Sequence, residues 1–364
     1  MLVFFAGAEP AIRFALRKKF GLLNPAVLAG ARLDGLPLGP SLAKVITMFT
    51  LRRIALCVSG LTLLLLLSSC LPARAQEQGQ SGNIRVNVNL VLVDATVKAK
   101  DGQIMSNLKK EDFEVREDGA LQKLDVFSRD ELQLHVALVL DLSDSLEPFL
   151  GPLRDAATIA LSALKPDDEV ALFTFATEAQ LSVPLTKDKR KIADQINTFE
   201  ARGATNINDG IFVAAEYLLK NAPSGRRVII LISDDVGTDA GGQGTRDIVT
   251  EAIAADSVLY NLKVPGYNPP STLFMASMIP GLVNIRKVMD ATGGELFDVH
   301  DVAHLDEVFS ALIQRIKTRY TLGYYTSASG AEGKPHKLEV RLANSFGKKG
   351  RDYTILAKNS YYIR

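Results

Sequence analysis

The sequence predicts an α/β fold: a doubly wound, mostly parallel sheet with helices on both faces, joined to a small β-sandwich-like module built from the two flanks. Three observations predict it. Apolar runs alternate with helix-period patterns from residue 134 to about residue 317. Two of the runs, 135–140 (HVALVL) and 227–232 (RVIILI), are almost wholly apolar, as strands buried on both faces are. The segments on either side, 84–128 and 320–364, carry strand patterns, yet each alone has too few strands to bury a core.

The elements follow in order. Residues 1–47 hold an Arg-Lys-Lys cluster and scattered Pro and Gly without a packed pattern. They are read as a mis-extended start, with Met48 the expected first residue. Residues 48–75 read as a signal peptide. Arg52 and Arg53 precede an apolar run, 54–67, which at about 14 residues is short for a membrane span. Ala73-Arg74-Ala75 fits a cleavage site, and Leu67-Ser68-Ser69-Cys70 fits a bacterial lipobox, so simple cleavage and lipidation at Cys70 compete. Either implies export to the periplasm, the cell surface or the medium. The only membrane contact expected is that lipid anchor. Polar residues 76–83 form a linker.

An N-terminal β module is expected over 84–130. It comprises a strand or two in 84–97, a turn at Asp101-Gly102, a strand ending in the tight turn Asp118-Gly119, and one returning strand over 121–127. The α/β domain spans 131–319. Its strands are expected near 135–141, 169–175, 179–183, 227–233, 257–262 and 295–298. Its helices are expected near 147–164, 188–197, 207–220, 245–255, 281–291 and 304–318. Ala176-Thr177-Glu178 joins a short pair as a hairpin, giving one antiparallel edge strand. Residues 261–278 have several Pro and Gly and no clean period, and are read as a surface excursion near the functional edge. A C-terminal β segment, 320–364, has strands at 320–325, 336–342 and 352–357 and an aromatic tail. It is expected to pack with 84–130.

Composition excludes several classes. The 364 residues are 23% charged and 47% hydrophobic, ordinary globular values, with net charge +1 and the two signs mixed along the chain. Nothing favours nucleic acid. Cys57 and Cys70 are the only cysteines, so the body has no thiolate nucleophile and no cysteine-bound zinc. His300 and His304 have the i, i+4 spacing of a helical metal pair, but Asp298 to Asp301 read as a turn and the pair as part of a solvated loop. No Ser-His-Asp set and no glycine-rich phosphate loop is present, so no enzyme activity and no small-molecule substrate is expected.

One pattern does carry chemistry. Asp141-Leu142-Ser143-Asp144-Ser145 follows the first buried run and delivers a carboxylate and two hydroxyls at alternate positions to the C-terminal end of a strand. Open α/β sheets bind their ligands there. Such groups make poor acid–base machinery and good hard-oxygen ligands for Mg²⁺. Gly203-Ala204-Thr205-Asn206 precedes a helical pattern, and the second buried run ends in Ser233-Asp234-Asp235.

The D-x-S-x-S pattern with a later Thr loop and strand-end Asp resembles the metal-ion-dependent adhesion site of the von Willebrand factor A family. Matched residue by residue, the resemblance implies a metal site of Asp141, Ser143, Ser145, Thr205 and Asp234. It implies Mg²⁺, with Mn²⁺ or Ca²⁺ as alternatives, and an open coordination position filled by an Asp or Glu carboxylate of a protein partner. In the family the Thr contacts the ion chiefly when a ligand is engaged. Asp144 and Asp235 stand where the family usually has Gly. Their carboxylates either add negative charge to the site or point to solvent. The phrases around 108–115, 117–119 and 126–128, and the β tail, resemble a bacterial group of von Willebrand factor A-related proteins common in acidobacteria. The function implied is that of an exported adhesion or binding protein. The alternatives are an envelope structural or assembly protein with a non-switching site, and a metal-dependent hydrolase using Asp141 and Ser143, for which no general base is evident.

Overall fold

The computed structural model describes residues 89–129, 132–222, 225–326, 334–343 and 353–363. The proposed mis-extended start, signal peptide, linker and Cys70 lie outside the described residues.

The central sheet has six strands. They are β5 (Leu134–Asp141), β6 (Glu169–Phe175), β7 (Ala179–Thr186), β8 (Arg226–Ser233), β9 (Ser257–Lys263) and β10 (Leu296–Asp298), in spatial order β10-β9-β8-β5-β6-β7. All neighbours are parallel except β6 and β7, the hairpin at the edge. The helices are α1 (Leu150–Ser162), α2 (Lys189–Ile196), α3 (Ile207–Asn221), α4 (Thr245–Ala254), α5 (Pro270–Ser277), α6 (Ile285–Thr292) and α7 (Leu305–Lys317).

Alternation along each strand sorts side chains between two cores. Val136, Leu138 and Leu140 of β5 face α1, α2 and α7, while Ala137 and Val139 face α3, α4 and α6. Both faces of β5 and β8 are covered, which is why those runs are apolar at nearly every position between their ends. Each such Leu, Ile or Val contributes roughly 1.5–3 kcal/mol by its burial. Among the described residues no helix is long and apolar enough to cross a membrane.

The flanks form two facing antiparallel sheets. One has the order β13-β1-β11-β4, the other β14-β12-β2-β3. Strands β1 (Asn89–Ala99), β2 (Phe113–Glu117), β3 (Ala120–Gln122) and β4 (Val126–Arg129) come from the N-terminal flank. Strands β11 (Tyr320–Thr326), β12 (His336–Leu342), β13 (Tyr353–Ala357) and β14 (Ser360–Tyr361) come from the C-terminal one. Each sheet mixes both flanks, and their shared core joins Val93, Val97, Phe113 and Val115 to Tyr320, Leu322, Tyr324 and Leu338.

Two expectations are corrected. The single returning strand over 121–127 is two strands in different sheets: β3 pairs with β2, and β4 crosses over to pair with β11. Leu124, buried at the crossing, fills the space between the sheets. Residues 261–278 are not wholly irregular. β9 runs to Lys263, and Pro270 opens α5, a helix that leaves Leu273, Phe274 and Met275 exposed and so lacks the one-sided apolar pattern that reveals helices.

Candidate metal centre

The chain enters β5 at the centre of the sheet, builds outward through β6 and β7, then returns to the other side of β5 as β8. That reversal opens a crevice at the C-terminal ends of β5 and β8. Asp141 is the last residue of β5, and Asp234 is the first beyond β8. The sequence brings two carboxylates to the crevice because both strands stop there.

Asp141 is fully buried and Asp234 is 4% exposed. Asp141 Oδ1 accepts from the Ser143 amide at 2.9 Å, and its Oδ2 accepts from Ser233 Oγ at 2.6 Å. Ser143 Oγ lies 3.2 Å from Ser145 Oγ, which donates to Asp234 Oδ2 at 2.7 Å. Asp234 Oδ1 accepts from the Val236 amide at 3.0 Å. Four of the five expected ligands form one continuous polar chain.

Among the described residues no basic side chain is hydrogen-bonded or ion-paired to either carboxylate. Burial pushes the Asp141 carboxyl up to about 7; hydrogen bonds from Ser143 and Ser233 pull it down, and the Asp234 charge pushes it up. An unpaired buried carboxylate costs several kcal/mol. Two carboxylates and two hydroxyls converging without a counter-charge fit a hard divalent cation.

Thr205 is 3% exposed but is not hydrogen-bonded through its side chain to the other four. Its loop is tied down along its length. The Thr205 amide donates to Thr238 Oγ1 at 2.8 Å, and Thr205 O accepts from the amides of Thr238 and Asp239. The Arg202 amide donates to Leu142 O at 2.6 Å. Asn206 caps α3 by accepting from the Asp209 amide at 3.1 Å.

The extra carboxylates have structural work. Asp144 is exposed, but its Oδ1 accepts from the Gly203 amide at 2.9 Å, pinning the Thr205 loop to the D-x-S-x-S loop. Asp235 has φ 65°, the left-handed region where Gly is usual. Its carboxylate accepts from Asn261 Nδ2 at 3.0 and 2.9 Å, which helps hold that conformation. Burial raises its carboxyl to about 6. Asp144 is exposed, as the solvent-facing reading expects; for Asp235, which is partly buried against Asn261, that reading is corrected. His300 and His304 are both largely exposed, near Asp298 and Glu307 respectively, as a solvated turn would place them.

Sequence reasoning missed two residues here. Ser233 supports Asp141, and only its place at the strand end hinted at this. Asn268 donates from Nδ2 to Asp234 Oδ2 at 2.7 Å from within the irregular segment, where no pattern marks it.

Residues 136–237 match the von Willebrand factor type A domain. No curated protein matches the chain. Solved structures similar to it include an aerotolerance-related membrane protein from Bacteroides fragilis, 17% identical over 50% of this chain and 98% of that one, with a TM-score of 0.39. A von Willebrand factor type A protein from Catenulispora acidiphila is 13% identical over 70% and 74%, TM-score 0.41. Proximal thread matrix protein 1 from the mussel byssus, with a zinc-occupied MIDAS motif, is 16% identical over 55% and 50%, TM-score 0.41. The match to the von Willebrand factor type A domain is confined to residues 136–237, and that stretch holds both buried aspartates, Asp141 and Asp234, at the C-terminal ends of β5 and β8.

Proposed function

We propose that this is an exported binding or adhesion protein that holds a divalent cation and presents it to an Asp or Glu carboxylate of a protein partner. Mg²⁺ is the ion expected, with Mn²⁺ or Ca²⁺ as alternatives. Asp141 and Asp234 supply charge, Ser143 and Ser145 supply neutral oxygens, and Thr205 completes the set. A cation so held keeps enough Lewis acidity to attract an external carboxylate. One observation carries the reading: two buried carboxylates meet at the C-terminal ends of β5 and β8, and among the described residues no basic side chain is bonded to either. Export rests on the basic and apolar run at 50–67 and the small residues at 73–75. The likeness of the flanks to acidobacterial proteins belongs to the same proposal.

Among the described residues no His or Lys is hydrogen-bonded to Asp141, Ser143, Ser145 or Asp234, and the site is read as binding. A second reading, an assembly protein whose site does not switch, is favoured by the tethered Thr205 loop.

Calorimetric titration with Mg²⁺ and Mn²⁺ tests the metal. Asp141→Ala should abolish binding with the fold intact, and undiminished affinity would sink the site. Capture of a partner from envelope fractions with Mg²⁺, and its loss in EDTA, separates adhesion from a fixed structural site.

A further inference from the structure

The segment that follows β9 lies across the metal edge and is held there at three points. The Val264 amide donates to Ser233 O at 3.0 Å, and the Tyr267 amide donates to Ser145 O at 2.9 Å. Asn268 Nδ2 donates to Asp234 Oδ2 at 2.7 Å. Between these points the backbone at Gly266 presses on Asp234. A Cβ there would lie 2.6 Å from Asp234 Cβ and nearer still to its Oδ2, so only glycine lets the strap lie down.

Two donors, Ser145 Oγ and Asn268 Nδ2, converge on the single oxygen Asp234 Oδ2, each at 2.7 Å. With a cation bound, a hydroxyl keeps its place by turning a lone pair to the ion. An amide NH₂ has no lone pair to offer, but the oxygen of the same carboxamide does. A half-turn about the last side-chain torsion exchanges the two, and an Asn carbonyl is an ordinary ligand for hard cations.

We propose that Asn268 is an additional metal ligand, its carboxamide oxygen filling the coordination position that an incoming carboxylate must take. This rests on the metal-site reading above. The strap makes the site self-capped: a neutral intramolecular ligand holds the ion between encounters, and an anionic partner displaces it. Tyr267 and Gly266 fix the strap, and Asn268 is the one side chain in it that reaches the aspartates.

The test uses the full chain with Mn²⁺ as probe, measured by calorimetry and by water-proton relaxation of the bound ion. Asn268→Ala should lower Mn²⁺ affinity by about tenfold. It should also admit about one more inner-sphere water. Asn268→Asp, which keeps an oxygen at that position, should restore both readouts. If wild type and Asn268→Ala bind Mn²⁺ with equal affinity and equal water count, Asn268 is no ligand while the metal site stands. A weaker affinity without a change in water count also overturns the assignment, since Asn268 would then only position Asp234. Failure of the wild type to bind Mn²⁺ overturns the metal site and this inference together.

Discussion

Asp94 and Asp141 are both carboxylates withdrawn from water, and they are treated in opposite ways. Asp94, on β1, sits where the sandwich meets the α/β domain. Its Oδ2 accepts from Arg226 Nε at 2.9 Å and its Oδ1 from Thr321 Oγ1 at 2.7 Å. Arg319, buried just after α7, donates to Asp94 O and Leu356 O in the sandwich and to Gly293 O and Tyr260 Oη in the domain. Burial acts to raise the Asp94 carboxyl, but the Arg226 and Arg319 charges and the hydrogen bonds outweigh it and hold it below the usual carboxylate value. Asp141 has no such partner, and burial carries it to about 7. The first carboxylate is satisfied by its own chain and joins two modules. The second is left for something from outside. That contrast, and not burial alone, is what sets Asp141 apart from a charge that only joins modules.

The largest effect should come from removing the C-terminal half of the junction. A chain ending at Thr318 loses Arg319 and β11, the strand between β1 and β4, and loses β12 beside β2. The N-terminal strands are left with open edges and an uncovered apolar face. Such a chain should aggregate or be cut before residue 130 under limited proteolysis. Protection of 89–129 equal to that in the full chain would mean that these strands do not depend on β11.

Next are the two aspartates themselves. Asp94→Asn leaves two buried guanidinium groups short of charge and should cost about 3–5 kcal/mol at neutral pH, the usual cost of breaking a buried pair. Its pH dependence has a definite sign. The folded-state value of Asp94 is depressed, so its stabilisation is complete above the unfolded value and is lost as pH falls through the folded one. The gap between wild type and Asp94→Asn in thermal melts should be constant from pH 7 to about 5 and should close below about pH 4. A gap that widens on acidification would mean that Asp94 is not held ionised by the arginines.

Asp141→Asn should have the opposite sign without metal. It removes an uncompensated buried charge, keeps an oxygen for the Ser143 amide and places an NH2 that donates to Ser233 Oγ once that hydroxyl turns, so metal-free stability should be equal or higher. The variant should lose the gain that Mg²⁺ gives the wild type, about 2.7 kcal/mol at a hundredfold excess over Kd. If Asp141→Asn destabilised the metal-free protein as Asp94→Asn does, the two carboxylates would be structural alike.

The same contrast explains what was legible in the sequence. The central strands and most of the helices could be read to within a few residues, because β5 and β8 are buried on both faces and the helices on one; α5, with its exposed apolar residues, could not. That Asp141, Ser143, Ser145 and Asp234 meet in one crevice could be read because two strand ends place them there; that they form a ligand set is what the resemblance implies. What escaped depends on contacts between distant segments. Leu121 and Phe127 look like one strand until two sheets claim them separately. The tie from Asp144 to Gly203 and the strap from Asn268 to Asp234 leave no local pattern, since each partner lies tens of residues away. The arginines of the junction were invisible for the same reason: Arg226 and Asp94 are 132 residues apart.

Thr205 should give the smallest effect, and it tests how far the site is pre-built. The resemblance implies a ligand that engages mainly with a partner present. The structure shows a Thr205 whose backbone is bonded on both sides and whose hydroxyl stands apart from the chain of hydrogen bonds that runs from Asp141 to Asp234. Truncating the side chain leaves those backbone bonds intact, so the loop should hold its place. Thr205→Ala should then lower Mn²⁺ affinity by less than about tenfold, the worth of one neutral contact. Asp141→Asn should abolish it in the same titration. Equal losses would make Thr205 a permanent ligand, and the site would be complete before any partner arrives.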